Sequence, residues 1–470
     1  MVTGISADRS VLRNPGFRLF FAADTASQIG SNVALVALPL VAVMALGASP
    51  FETGLVVVAE RAAYLLVSLP AGVWVDRLRR RPIMMVADLA RAVLLASIPL
   101  AWWVGALTMA QLYVVALVTG LATVFFDIAY QSYLPSLVGR DLLVDGNSKL
   151  EVVRSGAEVS GPMLGGWLVQ FITAPLTVLA TAAGYLLSAV FLGRIRVPES
   201  VPGPTARRGL FEEIGEGLRF VATHPILRMI VLCMGIANFS ASMLLSVQAI
   251  FMVREVGVSP GLYGTLMAAG ALGGLAAVVL VRPLTRRIGS ARLIWVALLV
   301  AAPGSLLIPL TEPGWRVWLF AVGLFVDVLG VVMYSISQVS FRQATTPADL
   351  LGRMNATIRV VAFGALPLGA LAGGLIGEVF GVRTAVWAGA VGSALCVIPL
   401  LCSPLVRMRD LPGGDNGGGP DDTGPALAPA WAEDWSGRAP AISSTPTAPS
   451  KTAGGNDPAG RTVNTPQEER

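Results

Sequence analysis

The stretch Gly72-Val73-Trp74-Val75-Asp76-Arg77-Leu78-Arg79-Arg80-Arg81-Pro82 joins two long apolar runs. So few residues between membrane-length segments dictate a helical hairpin. Its four arginines place the turn on the cytoplasmic side, because basic residues in short loops are retained there. The rest of the chain has the same character. Hydrophobic residues make up 54% of the 470 and charged residues 13%, with a mean hydropathy of +0.69. A soluble domain carries about 25% charged residues, so lipid is the solvent for most of this chain.

Apolar runs of about 18 residues or more number about twelve. The first six run from Phe17–Leu46 to Pro175–Ile195; the second six begin with Ile226–Val253 and end with Ala291–Leu310, Trp315–Arg342, Leu351–Phe380 and Arg383–Val406. Prolines such as Pro39, Pro162 and Pro367 fall inside these runs, where neighbouring membrane helices re-satisfy the freed backbone groups. Alternate loops differ sharply in charge. One set holds twenty-one arginines and lysines, the other only Arg254, Arg316 and Arg383. That bias places both termini in the cytoplasm and the chain, multi-pass, in the cell membrane.

The chain also repeats. Asp141-Leu142-Leu143 with Asn147 returns as Asp349-Leu350-Leu351 with Asn355, and at the same offset Gly161 and Gly165-Gly166 meet Gly369 and Gly373-Gly374. Two parallel six-helix halves follow. The fold class is therefore all-α integral membrane, with pseudo-symmetric halves at residues 17–196 and 226–406. Residues 1–16 form a cytoplasmic segment without a cleavable signal pattern. Residues 197–225 form a linker in which Leu210, Ile214, Leu218 and Val221 fall at helical spacing, an amphipathic helix under the bundle. Residues 407–470 turn to Gly, Pro, Ala, Ser, Thr and Asp, a tail that cannot bury a core.

Several chemistries are excluded. The formal charge of +5 is scattered over short loops, which argues topology and not a nucleic-acid surface. Cys233, Cys396 and Cys402 sit in apolar runs without metal-ligand or disulfide spacing, and no cofactor is called for. The sole histidine, His224, reads as a solvated loop residue. With no intramembrane histidine and no nucleophile elbow, a membrane-embedded enzyme has nothing to work with.

Ionisable residues at membrane depth are costly and mark function. At about 1.5 Å per residue, Asp327 lies about 18 Å into its span, near the midplane, and Glu158 is similarly placed. Glu60 and Arg61 occupy the middle of the second span, and Asp24 lies toward the cytoplasmic end of the first. Asp88–Arg91 and Glu151–Arg154, each at i,i+3, read as structural pairs. Arg359 stands where the first half has Glu151. Glu60, Glu158 and Asp327 are the proton-carrier candidates, with Asp24, Arg61 and Arg359 as further cavity candidates.

With this architecture, the chain resembles the major facilitator superfamily from about Phe17 to Val406. Gly72-x3-Asp76-Arg77-x2-Arg80-Arg81 matches that family's loop between the second and third helices, with Arg79 replacing a glycine. Phe126-Asp127-x-Ala129-Tyr130-Gln131-x2-Leu134-Pro135-x-Leu137-Val138 is similar to the macrolide-efflux and enterobactin-exporter-like branch. The resemblance implies a charge lock on the cytoplasmic side: Gly72, Asp76, Arg77, Arg80, Arg81 and Asp127, with Asp76 meeting the start of the eleventh helix and Asp127 within reach of Arg77 or Arg80. Gly161-Pro162-x2-Gly165-Gly166 resembles the antiporter signature, with Ala157 where a glycine is expected. The implied protein is a monomeric secondary transporter that exports an amphipathic small molecule, a drug, antibiotic or siderophore, by alternating access with protons as the counter-ion. The fourth span, Thr108–Leu137, lacks the arginine common in drug exporters of the family. A different driving ion, a uniporter and an importer on the same fold therefore stay open.

Overall fold

A computed structural model describes residues 11–75, 77–139, 142–196, 218–219, 221–346 and 351–410. Most of the amphipathic linker, the C-terminal tail from 411 and Asp76 of the arginine turn lie outside the described residues. Twelve long helices are present among those described. The first half comprises α1 (Pro15–Leu40), α2 (Pro50–Val75), α3 (Arg80–Trp103), α4 (Met109–Val138), α5 (Leu143–Phe171) and α6 (Ala174–Arg194). The second comprises α7 (Pro225–Ile250), α8 (Pro260–Ile288), α9 (Ser290–Leu307), α10 (Trp318–Thr345), α11 (Leu351–Phe380) and α12 (Val382–Leu395). Ten of them, among the described residues, are long and apolar enough to cross a membrane. The other two, α2 and α5, carry Glu52, Glu60 and Arg61, and Asp145, Lys149, Glu151, Arg154 and Glu158.

The predicted last span, Arg383–Val406, is broken in the structure. Helix α12 stops at Leu395 and a separate short helix covers Ile398–Leu401, because Pro399 offers no N–H to continue the ladder. Beyond it the chain returns to α9: the Arg409 carbonyl accepts from Ala291 N (3.1 Å), and Asp410 Oδ1 accepts from Ser290 N (3.1 Å). Both groups satisfy N–H donors that a helix start leaves over.

The two halves are built alike. In the first, α1 packs on α5 and α6, α3 on α4 and α6, and α2 on α4; in the second, α7 packs on α11 and α12, α9 on α10 and α12, and α8 on α10. The local chemistry repeats as well. Helix α1 runs on into a π turn at Val41–Ala45, and α7 into one at Phe251–Glu255. Each is followed by a left-handed glycine, Gly47 (φ 67°) or Gly257 (φ 75°), a conformation natural only for glycine. Then Ser49-Pro50 starts α2 and Ser259-Pro260 starts α8; the Ser49 and Ser259 hydroxyls accept from Glu52 N (3.3 Å) and Leu262 N (3.4 Å). Serine caps with proline in the first turn fix where each helix begins.

Glycines set how closely helices cross. A Cβ at Gly166 would meet Pro260 O at 2.3 Å and Gly264 Cα at 3.0 Å; one at Gly54 would meet Gly374 Cα at 3.0 Å. These are the matched crossings of α5 on α8 and α2 on α11 that join the halves. Gly161 and Gly165 instead press on α1, against Asn32 and Val33, and their counterparts Gly369 and Gly373 press on α7, against Phe239 and Met243. The predicted 208-residue repeat is thus a packing repeat.

The apolar core is continuous across the halves at the arginine-poor end, where Val36, Leu40 and Val43 share one cluster with Phe251, Tyr263 and Phe320. Toward the arginine-rich end it divides. Phe17, Phe20 and Tyr133 belong to a cluster of the first half alone; Met333, Phe341 and Leu405 belong to one of the second. Among the described residues, the shared apolar core therefore joins the two lobes at the arginine-poor end. On the outside, Val86, Val93, Leu100 and Val279 are exposed, and Trp103 and Trp315 stand at the arginine-poor rim, as expected of a lipid-facing belt with interfacial aromatics.

Candidate functional site

Between the halves lies a cavity of about 470 Å³. Its polar lining is brief: Asn32 from α1, Glu158 from α5, Gln248 from α7 and Asp327 from α10, within a wall of residues such as Leu35, Leu244 and Leu324. Two carboxylates placed at membrane depth by sequence thus line one chamber from opposite lobes. They differ in state. Glu158 pairs with Arg154 one turn earlier (3.1 Å), and both are half-exposed. Arg154 therefore bonds to Glu158 at i,i+4 and not to Glu151 at i,i+3, the pair expected from the sequence. Asp327 has no such partner. Its Oδ1 is sealed from solvent without a hydrogen bond, and its backbone N lies 2.5 Å from where a Cβ on Gly304 would sit. The α9–α10 crossing at Gly304 and Gly323 holds the carboxylate in place.

A second polar group is built wholly in the first half. Asp24 is buried, its two oxygens without a hydrogen bond although Gln28 and Tyr130 lie beside it. Asp127 Oδ2 accepts from the Tyr64 hydroxyl at 3.0 Å, so a phenol, which the sequence reading did not single out, is its donor. The Tyr64 ring in turn lies 5.4 Å from that of Phe363 on α11, which takes the chain of contacts across to the other lobe. Glu60 and Arg61, half-buried one turn before Tyr64, flank this group without lining the cavity. The predicted Asp88–Arg91 pair forms and is fully buried. Arg91 lies between the rings of Phe126 (4.5 Å) and Tyr185 (4.1 Å), a cation–π clamp that pins α3 to α4 and α6.

Of the predicted lock, Asp76 lies outside the described residues, and Gly72 is seen only as part of α2. Arg77 is exposed and Arg80 half-buried. Arg81 donates to the Leu192 and Gly193 carbonyls (2.6 and 2.5 Å), so it closes the C-terminus of α6 inside its own half. Arg359 falls in α11, with its side chain outside what is described. His224 is not solvated as expected: it is 3% exposed, and its Nδ1 accepts from Ile226 N and Leu227 N (3.3 and 3.2 Å) to cap α7. A histidine immediately before a proline-led helix was the available signal.

The three arginines of the sparse face, counted in the sequence only for topology, all carry bonds. Arg316 pairs with Glu312 (2.5 Å), and Arg383 with Glu255 (2.7 Å). Arg254, at the end of the α7 π turn, reaches across the lobes and donates to the Ala48 and Val43 carbonyls (2.6 and 2.5 Å). Two further bonds cross the same end in matched positions. Glu378 Oε2 on α11 accepts from Phe51 N (3.2 Å) at the start of α2, and Gln170 Oε1 on α5 accepts from Gly261 N (3.0 Å) at the start of α8. Each lobe caps a helix of the other. Trp167 Nε1 adds a bond to Thr265 (3.2 Å).

Twelve helices in two matched lobes about a shared chamber define a multi-pass membrane transporter. The chain belongs to the family described as transmembrane secretion effector, whose sequence profile matches residues 6–413, within the major facilitator superfamily. It is 27% identical over 413 residues to the multidrug efflux pump Tap of Mycolicibacterium fortuitum, covering 85% of this chain and 98% of that one. It is 26% identical over 349 residues to the enterobactin exporter EntS of Salmonella choleraesuis (strain SC-B67), covering 73% and 81%. Among solved structures, the nucleoside transporter NupG superimposes with a TM-score of 0.68 at 12% identity, covering 82% of this chain and 98% of that one. A bacterial homologue of ferroportin in the inward-facing state gives 0.67 at 16%, covering 84% and 99%. Those likenesses carry the fold.

Proposed function

We propose that the protein is an exporter of amphipathic small molecules in the cell membrane. Both termini are cytoplasmic, it works as a monomer, and inward proton flow drives it by alternating access. The observation that carries this reading is the chamber with a carboxylate from each lobe, sealed by inter-lobe bonds at the arginine-poor end. With the arginine-rich face cytoplasmic, the sealed end is the outer one and the chamber faces inward, ready to load. Opening outward requires Arg254, Glu378 and Gln170 to release their partners, and the α2–α11 and α5–α8 glycine crossings beside those bonds to loosen. In the opposite state the arginine turn closes the inner side, which is where the Asp76 lock belongs. The buried Asp24 and the Asp127–Tyr64 pair are the proton-responsive groups, and the Tyr64–Phe363 contact carries their state to the second lobe. Efflux-pump relatives support the outward direction.

The test is transport in everted membrane vesicles. An imposed proton gradient should drive accumulation of amphipathic dyes, and an uncoupler should abolish it. Accumulation only in right-side-out vesicles would establish the importer instead, and uncoupler-insensitive movement would leave a uniporter.

A further inference from the structure

We infer that an anionic phospholipid occupies the outer groove between α7 and α11, its phosphate held by Arg228 and one acyl chain lying along the groove. The groove encloses about 450 Å³. Leu232 and Phe239 of α7 and Val361 and Leu368 of α11 form its walls, with Leu218 and Val221 of the linker at its head. Among the described residues Arg228 is the sole polar member of the lining. It is exposed, and among the described residues no carboxylate pairs with its guanidinium. Arg219, next to Leu218, is exposed as well.

This groove faces away from the chamber. Residues thirteen apart on a helix lie about 140° apart around its axis. Arg228, Leu232 and Gly235 line the groove, and the residues thirteen further on, Ala241, Leu245 and Gln248, line the chamber. Leu232 and Leu368 are exposed on the lipid-facing side. Gly235 supplies the hollow: a Cβ there would first meet Val361 Cγ1, at 3.6 Å. From Arg228 to Phe239 the helix rises about 16 Å, against about 15 Å for half the hydrocarbon core. The groove is thus one leaflet deep, with its charge at headgroup level on the arginine-rich face.

Each occupant meets these features differently. A free anion answers Arg228 and leaves the apolar walls without an apolar partner. A neutral hydrocarbon fills the walls and leaves the guanidinium unanswered. A zwitterionic lipid fills the walls but brings an ammonium that competes with Arg228 for its own phosphate. An anionic phospholipid answers both: its phosphate accepts charge-assisted hydrogen bonds from the guanidinium, and an acyl chain covers Leu232, Phe239 and Leu368. Because the groove is made by the linker and two helices, the bound lipid ties the linker to the second lobe. The site requires neither a cargo nor a direction of transport, so it stands or falls apart from the export reading.

Photocrosslinking to the full-length protein in phosphatidylcholine nanodiscs tests this. The probe is phosphatidylglycerol with a diazirine midway along one acyl chain, compared with phosphatidylcholine carrying the same chain, and labelled peptides are mapped by mass spectrometry. Labelling of Leu232–Phe239 and Val361–Leu368 by the glycerol lipid should exceed that by the choline lipid about fivefold, the effect of one basic residue near an anionic headgroup. Arg228→Gln should bring the two lipids level there and leave labelling around Val279, exposed on α8, unchanged. Gly235→Leu fills the hollow and should remove groove labelling by both lipids. Should that variant fail to fold, Leu232→Trp, on the exposed wall, should do the same. Equal labelling by the two lipids in the native protein overturns the inference. So does a preference that survives Arg228→Gln, or a loss that spreads equally to Val279.

Discussion

Arg254→Ala should unfasten the arginine-poor end. The guanidinium makes two inter-lobe bonds, 2.6 Å to the Ala48 carbonyl and 2.5 Å to the Val43 carbonyl. Hydrogen bonds to a charged group are worth about 1.5–3 kcal/mol when shielded. Here the arginine is exposed and water replaces part of what is lost, so about 1–2 kcal/mol in total is the appropriate figure. At about 1.4 kcal/mol per decade, the balance between inward- and outward-facing forms shifts about 5- to 30-fold toward outward-facing. Spin labels at Met44 and Trp315, both exposed on that face and in opposite lobes, read the change as a distance distribution by pulsed electron resonance after Cys233, Cys396 and Cys402 are replaced. The longer-distance population should grow in Arg254→Ala without loss of thermal stability. An unchanged distribution in a well-folded variant refutes the assignment of Arg254 as an outer latch.

Four other outcomes are expected. Tyr64→Phe keeps the ring against Phe363 but removes the hydroxyl that Asp127 accepts from; proton-driven transport should fall about tenfold with dye affinity unaltered, and a matching fall in affinity would place Tyr64 in cargo binding instead. Arg91→Leu leaves Asp88 buried and unanswered, so unfolding in detergent should become easier by about 3–5 kcal/mol; a variant as stable as the parent contradicts this. Gly264→Ala pushes a methyl to 2.2 Å from the Pro162 carbonyl and should cost about 1–3 kcal/mol, whereas Gly156→Ala, with nothing within 4 Å, should be silent in the same melting assay. Burial holds the His224 imidazole below its ordinary value of 6.5, so the folded chain binds fewer protons than the unfolded one. Its capping contribution is whole above pH 6.5 and drains away as pH falls through the depressed folded value. Melting temperature should follow that course in the native chain and lose it in His224→Asn, which caps at any pH.

The arginine turn and the hydropathy runs gave the helices, because lipid leaves the backbone few choices. The depth argument also singled out Glu158 and Asp327, because charge is costly at mid-membrane, and both side chains line the cavity. The same argument gathered Glu60 and Arg61 without distinguishing a flank from a wall, since position along a helix does not give the direction a side chain faces. Arg254 was invisible for another reason. Its partners are main-chain carbonyls, and a bond to backbone leaves no complementary residue type to find. The repeat was legible at 208 residues, but the turn repeat Gly47-Ala48-Ser49-Pro50 and Gly257-Val258-Ser259-Pro260 is offset by 210. A search at one spacing passes over it, because the intervening loops differ in length.

The shared apolar core at the arginine-poor end has a thermal consequence. Parting the lobes there wets side chains such as Leu40, Phe251 and Phe320 that are dry in this state, whereas the opposite end keeps its two cores separate. Hydration of apolar surface raises heat capacity and becomes less unfavourable on cooling. On the proposed alternating-access reading, chilling should therefore tilt the resting population toward a form open at the arginine-poor end, and warming should favour the form closed there.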